Sequence, residues 1–506
     1  MRMRVFASFL ILIIFITNGY TQFISDNRIE LRSIFSAYDD PVNMLQFGEN
    51  PAWLFFDGNQ IPLELYGDYS GQSGDFHKPF DPGTRDTYQY YVQGARILDE
   101  HHAVKGQFGF LQDFRGDWRW MMTRDYDNGN PFVLADSTTG RTVYRGISMN
   151  AMYGVPLTDR IAVGTQIKYA IDNGLKEVSP KPISTIRDLQ FSIGTVYHVS
   201  QQFQVGASFA HFDQQEEISY QEDEVDPLTE TILLKFRGID RFLRVSKQRE
   251  FRESRWRDYS GRIHMSGSLN NGLTYTAYGG LTTGNIDVRD GRTSPDDQGY
   301  WYREGYDAGV RLYYPLDRYA FGFTSEVNYT DHWARHPRFE VVLSEGSDRF
   351  QMLALGIERS LGGVLEMLGG EYGIIHHGKQ VNDYLSKVDV DISRLIHEAS
   401  IGSRWKFTEN FSTTLLYTFS WQTAQNDIIE APNPSPFFSD VRIYEFEYYC
   451  SAANRHSFQA ESHIGTSRIG TIVLGLRLDR IDVTSSDYFH DSHLTAITAR
   501  VGLMGI

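Results

Sequence analysis

Cysteine is nearly absent. The 506-residue chain holds one, Cys450, so no intramolecular disulfide can form, and a thiol so far from the N-terminus cannot carry a lipoprotein's lipid. Its ordinary place is as a small buried or lipid-facing residue. Long apolar runs are scarce too. Beyond the first twenty residues no stretch approaches the 18 or so apolar residues of a transmembrane helix. A hydrophobic fraction of 41% and a mean hydropathy of −0.38 exclude a polytopic helical membrane protein. They leave room for a membrane β-barrel, which shows lipid only every second residue. Positive charge is short: the net charge is −16 and no Lys/Arg run stands out. A nucleic-acid partner, which would need a basic patch, is thereby disfavoured. The basic cluster from Arg241 to Arg257 is diluted by Glu250, Glu253 and Asp258 and reads as a solvated loop. The 45 glycines keep no fixed period, which argues against a solenoid. Nucleophile elbow, paired-carboxylate signature and H-E-x-x-H are all missing, so no catalytic residue is assigned and the chain reads as a non-enzyme.

What is present starts at the N-terminus. Arg2 and Arg4 precede the run Val5 to Ile16, and a polar exit from Thr17 to Gln22 follows. A positive start, a short apolar core and a polar end describe a secretory signal peptide over 1–21. Residues 22–59 do not alternate and read as an N-terminal segment able to act as a plug. From about residue 60 onward, segments of alternating hydrophobicity recur. YGVPLTDRIAVGTQIKYA, Tyr153 to Ala170, is one: Ile161, Val163, Ile167 and Tyr169 fall on one side, and Ala162, Gly164, Gln166 and Lys168 on the other. Counted along the chain, such segments number roughly 18 candidate strands. They include 87–98, 103–114, 203–212, 256–269, 350–361, 364–376, 392–407 and 411–425.

The connections also alternate. One set is short and rich in turn residues, as in Pro315-Leu-Asp-Arg318, Asn270-Asn-Gly272 and Gly362-Gly363. The other set is long and polar: 115–140, 214–255, 290–299, 334–349, 378–391 and 426–440. Tyr153, Tyr197, Phe203, Tyr314, Tyr319, Trp405, Phe407 and Phe411 gather beside the short turns, as an aromatic girdle would. The predicted fold is an all-β, transmembrane, antiparallel up-and-down barrel of about 16–18 strands. An open edge in lipid would leave backbone groups unpaired at several kcal/mol each, so the last strand must pair with the first. Alternation then assigns Lys168, Asp307, Arg311, Glu326, Arg477, Asp479 and Arg500 to the lumen.

The hairpins, the exit before Gln22 and the stretch Asn50-Pro51-Ala52 resemble an uncharacterised, porin-like family of outer-membrane barrels of Bacteroidota. Members are often encoded near nutrient or iron uptake systems. Asn50-Pro51-Ala52 is also similar to the start of barrels of the long-chain fatty acid transporter type. The resemblance implies a Gram-negative outer-membrane protein that passes a small solute or nutrient. Its partners would be membrane lipid and an uptake receptor or surface lipoprotein. The alternatives are a structural or assembly partner of an uptake or secretion complex and, third, an outer-membrane enzyme. A TonB-dependent transporter proper needs a plug domain and about 22 strands, more than this length supplies.

Metal and cofactor signals do not assemble. Asp125-Tyr-Asp-Asn-Gly-Asn130 lacks the spacing and the closing glutamate of a calcium loop and reads as a polar loop tip. His101-His102 and His376-His377 are neighbours, which on a strand point to opposite faces. No cofactor or metal is assigned.

Overall fold

The computed structural model describes residues 50–505 apart from 56–62, 100–101, 127–128, 179–180, 222–232, 246–248, 338–340 and 467–469. The expected signal peptide, most of the expected 22–59 segment and His101 lie outside the described residues. A 3₁₀ turn, Pro51–Phe55, comes first. Twenty-one strands follow: β1 (Glu64–Gly74), β2 (Thr84–Asp99), β3 (His102–Trp118), β4 (Leu134–Asp136), β5 (Gly140–Thr158), β6 (Ile161–Lys176), β7 (Ile183–Ser200), β8 (Phe203–Gln221), β9 (Leu233–Phe236), β10 (Phe242–Val245), β11 (Arg249–Ser268), β12 (Thr274–Asp290), β13 (Asp296–Leu316), β14 (Tyr319–Arg335), β15 (Val342–Ser360), β16 (Leu365–Asp383), β17 (Val388–Thr408), β18 (Phe411–Glu430), β19 (Ala452–Thr466), β20 (Gly470–Ser485) and β21 (His493–Met504). One helix, α1 (Ile443–Cys450), lies between β18 and β19.

Eighteen of these strands form one closed antiparallel barrel, each paired with its neighbour in sequence once β4, β9 and β10 are set aside. The ring closes between β1 and β21, from Glu64 opposite Met504 to Gly74 opposite Leu494. Closure leaves no free edge, the one way a sheet can do so. β20 shows why these sequences make such strands. Leu474, Leu476 and Leu478 stand exposed on the outer surface, and Leu478 lies between Phe458 of β19 and Ile497 of β21. Val473, Arg477 and Asp479 alternate with them on the inner side, where Val473 is buried. The same parity puts Ile167 and Phe191 outside and Ala162 and Gln166 inside.

Short connections occupy one end of the barrel. Asp317, at a left-handed φ of 53°, turns β13 into β14, and Gly362 and Gly363, at 72° and 84°, turn β15 into β16. At the other end the strands run further than alternation suggested. β8 continues past Phe212 to Gln221, and β11 begins at Arg249 rather than at Trp256. The outward residues there are charged and paired across the ladder, as in Arg255 with Asp213 at 2.5 Å and Arg187 with Glu217 at 2.8 Å. With both faces polar, the hydrophobic period fades while the hydrogen-bonded ladder goes on. Four expectations fall for this reason. The expected long loops 290–299 and 334–349 shrink to the connections 291–295 and 336–341. Residues 378–391 are no long loop: β16 runs to Asp383, and only 384–387 separate it from β17. Nor is Arg241 to Arg257 a solvated loop, since it carries β10 and the start of β11, with Arg252 buried against Asp290.

The long-loop mouth is filled. β4, β9 and β10 form a separate three-stranded sheet with β9 in the centre, and α1 lies in the 431–451 connection. Their apolar side chains pack on the inner wall around the ring. Phe438, Phe446 and Tyr448 join Val388, Val390 and Ile392 of β17 in one core, with Ile481 of β20 and Leu494 of β21. Phe236, Met121 and Val133 meet Tyr144 of β5 and Ile186 of β7 in a second. Phe132 meets Trp256, Ile286 and Trp301 of β11, β12 and β13 in a third. The loops fold inward as a cap with a core of its own.

Candidate functional site

The cap is pinned to the wall by buried charge. Lys176 of β6 donates to both oxygens of Asp136 on β4, at 2.7 and 2.9 Å, and to the Thr138 carbonyl at 2.8 Å. Arg252 of β11 binds Asp290 of β12 at 2.7 Å and donates to the Phe132 carbonyl at 3.1 Å, and Lys235 of β9 reaches the same Asp290 at 2.7 Å. Arg124 binds Asp172 of β6 and, at 3.1 Å, Asp188 of β7, and its own amide donates to Glu216 of β8 at 2.8 Å. Across the ring, Asp383 of β16 accepts the Ile239 amide at 2.6 Å. Buried charges are tolerated when each is paired and hydrogen-bonded, and these pairs fix the cap on at least six strands.

Between cap and wall lies a cleft, partly open to solvent. Its lining combines aromatic residues, Phe80, Trp120, Tyr126, Phe236 and Phe446, with polar ones: Lys379 of β16, His332 of β14, Ser344 of β15 and, from the cap, Arg442 and Glu445. Arg442 binds Glu445 one turn along and stacks over Phe80 and Phe236. Burial pushes the Glu445 carboxyl up, but Arg442, then Lys379 and Lys78, more than offset it and hold the group below its ordinary value of 4.5. A depressed carboxyl contributes stability that is fully present above the unfolded value and is lost as pH falls through the folded one. Amide protection in 438–450, relative to the intrinsic exchange rate at each pH, should therefore be unchanged down to about pH 4.5 and fall below it. A fall that begins above that pH would assign the loss to another group.

At the short-turn end a second element enters the ring. Pro51–Phe55 packs on the inner faces of β3, β5, β6 and β7. Trp53 and Ala52 meet Val196 of β7, and Leu54 meets Ala103 and Met152. Three inward glycines make the seat. A Cβ on Gly194 would strike Asn50 Oδ1, one on Gly164 the Pro51 carbonyl, and one on Gly206 the Asn50 amide. Asn50 caps the turn, its Oδ1 accepting the Ala52 amide at 3.0 Å, and donates to the Thr195 carbonyl at 3.2 Å.

The residues assigned to the lumen from sequence lie on inner faces but in separate groups. Arg477 and Asp479 come together at 2.9 Å, with Arg455 at 2.8 Å from the same carboxylate. Arg500 pairs with Asp68 across the closing seam at 2.9 Å, and Asp307 with Arg262 at 3.0 Å. Lys168, Arg311 and Glu326 are half-buried on β6, β13 and β14. None of the seven lines the cleft. Among the residues beside the short turns, Tyr153, Tyr197, Tyr319 and Phe407 are exposed on the outside, and Phe203, Tyr314, Trp405 and Phe411 are half-exposed. Phe407 stacks on both Trp405 and Phe411. His102 meets the Tyr153 hydroxyl at 2.5 Å, and His377 points inward against Tyr449. Asp125 is bound by Arg124 and Gln214. Cys450 sits at the end of α1, where burial pushes its thiol up to about 12. Among the described residues no group of three or more His, Cys, Asp or Glu could hold a metal ion.

Sequence reasoning missed the cleft altogether. Its one legible trace was the apolar and aromatic content of loops that should be polar, such as Trp118, Met121, Met122 and Phe132 within 115–140.

One family model matches residues 51–504, which is the barrel, its cap and the seated turn together, and it is described as a family of unknown function, DUF6850. The chain belongs to that family. Comparison with curated protein sequences finds no significant match. Among solved structures this DUF6850 barrel is similar to the copper transporter OprC, at 8% identity and a TM-score of 0.41, over 88% of this chain and 81% of that one. It is similar to the monoaromatic hydrocarbon channel CymD at 10% and 0.31, over 92% and 93%. A FadL homologue of Pseudomonas aeruginosa matches at 10% and 0.32, over 91% and 93%.

Proposed function

We propose that this protein is an integral outer-membrane barrel of a Gram-negative envelope, exported by the signal peptide at 1–21, that admits a small solute through a mouth gated by its cap. One observation carries the reading. The ladder is closed, its outer face is apolar at mid-height, its inner face is charged, and the mouth is filled by a folded cap holding a cleft. A soluble sheet has no reason to expose Leu474, Leu476, Leu478, Ile497 and Val501 side by side. Lipid is the solvent that this face fits, and a ring of 18 strands is wide enough for a solute path once the mouth clears.

The protein should fractionate with outer membranes and migrate differently in SDS with and without boiling. Release by a salt or carbonate wash would defeat the proposal. Leu476→Arg puts a charge on the outer face at mid-height, where it costs about 2–4 kcal/mol in lipid. The variant should yield much less of the boiling-sensitive form, and unchanged yield would mean that this face meets water.

A further inference from the structure

We infer that the cleft under the cap binds an organic anion with a flat apolar body, of the aromatic carboxylate kind. The inference deepens the transport reading and rests on it for the route by which the solute arrives. The argument begins with two basic side chains, Lys379 and Arg394 of β17, which stand 5.9 and 4.9 Å from the ring of the buried Tyr449 on α1. Among the described residues neither Lys379 nor Arg394 has a carboxylate within 4 Å, and the buried Arg394 Nε has no hydrogen-bond partner. The register sets Asp348 opposite Lys379, yet its carboxylate lies toward His332, at 3.6 Å. Glu445, the acid nearest the cluster, is bound by Arg442. Cations taken out of water are costly unless an anion meets them, and among the described residues neither of these two meets one.

The second observation is the cleft itself. Lys379 lines it. So does His332, which is 6% exposed and whose Nε2 has no hydrogen-bond partner and stands 3.6 Å from the Asp348 carboxylate. A ligand oxygen entering at this end meets the Lys379 ammonium beside that imidazole. The lining also includes Phe80, Trp120, Tyr126 and Phe236, which suit a flat apolar body. An inorganic anion would leave those rings unused, and a neutral aromatic would leave Lys379 unmet.

The test is calorimetric titration of the purified full barrel with 2-naphthoate, with its neutral counterpart 2-naphthylmethanol, and with acetate. Naphthoate should bind, and the other two should bind at least roughly tenfold more weakly. Lys379→Gln should weaken naphthoate by roughly tenfold or more, while Lys379→Arg, which keeps the charge, stays close to wild type. The SDS boiling shift verifies the fold of each variant. Equal binding of the neutral analogue, no binding of naphthoate, or an unaffected Lys379→Gln protein would each overturn the inference. Membrane fractionation separates the two readings: a correctly inserted barrel that ignores naphthoate sinks the site alone, and a naphthoate-binding protein that washes off membranes sinks the transport reading alone.

Discussion

Replacing residues 233–245 with a short glycine–serine linker should turn a nearly silent barrel into one that conducts steadily in planar bilayers. The replacement removes β9, the central strand of the cap sheet, and β10 with it, and leaves β4 unpaired. It also withdraws Phe236 from the second core, Ile239 from the first and Lys235 from Asp290. What remains of the cap has too little apolar surface to keep it ordered against its own chain entropy. The wall is untouched, because its ladder runs from β8 directly to β11. The intact protein should show brief or no openings and the deletion long, large ones. A deletion protein that keeps its boiling shift and stays silent would place the obstruction elsewhere, with the seated turn Pro51–Phe55 the next element to remove.

Asp136→Ala should cost about 3–5 kcal/mol, because it strands a buried ammonium. Lys176 is 1% exposed and Asp136 is fully buried, and the two hold each other through both carboxylate oxygens. The Thr138 carbonyl alone cannot neutralise the charge left behind. Removing both charges, as Asp136→Ala with Lys176→Met, should recover much of the loss, since an apolar pair often replaces a buried ion pair at little cost. Urea titration followed by the boiling shift reads the effect. A loss for Asp136→Ala below about 1 kcal/mol would make the pair no more important than one on the surface.

The barrel was legible because lipid-facing and lumen-facing residues differ in chemistry at every second position, and a period of two survives in a single sequence. Each of the eighteen wall strands has a counterpart among the alternating segments, and short turns such as Asn270-Asn-Gly272, Pro315-Leu-Asp-Arg318 and Gly362-Gly363 lie where turn residues fall. Legibility stops where the chemistry of the two faces converges. Above the apolar belt, Arg187, Asp213, Glu217 and Arg255 face outward while Asp188, Gln214 and Glu216 face inward, so no period marks the strand. The cap was invisible for another reason. Phe76 and Phe80 are isolated apolar residues in polar connections, Phe132 and Phe236 belong to short apolar runs, and the partners of all four lie on distant elements. The same holds for the ion pairs: nothing in the sequence joins Arg500 to Asp68 until the seam sets their register. Lys379 reads as an ordinary polar loop residue until β16 is known to continue past it.

The seam has a kinetic side. Pairing Glu64 with Met504 is the most sequence-distant contact in the ladder, and contacts of that kind form late because the chain must lose the most freedom to make them. The cap depends on the same event. The amides of Asp75 and Phe76, just past β1, both donate to the carbonyl of His493 on β21, at 3.0 and 3.1 Å. Phe76 then enters the core that holds Leu494, Phe489, Tyr448 and Val388. That core draws on both banks of the seam, so it cannot be completed while the ring is open. Ring closure and plugging become one cooperative step, so no intermediate with a sealed edge and an open centre accumulates.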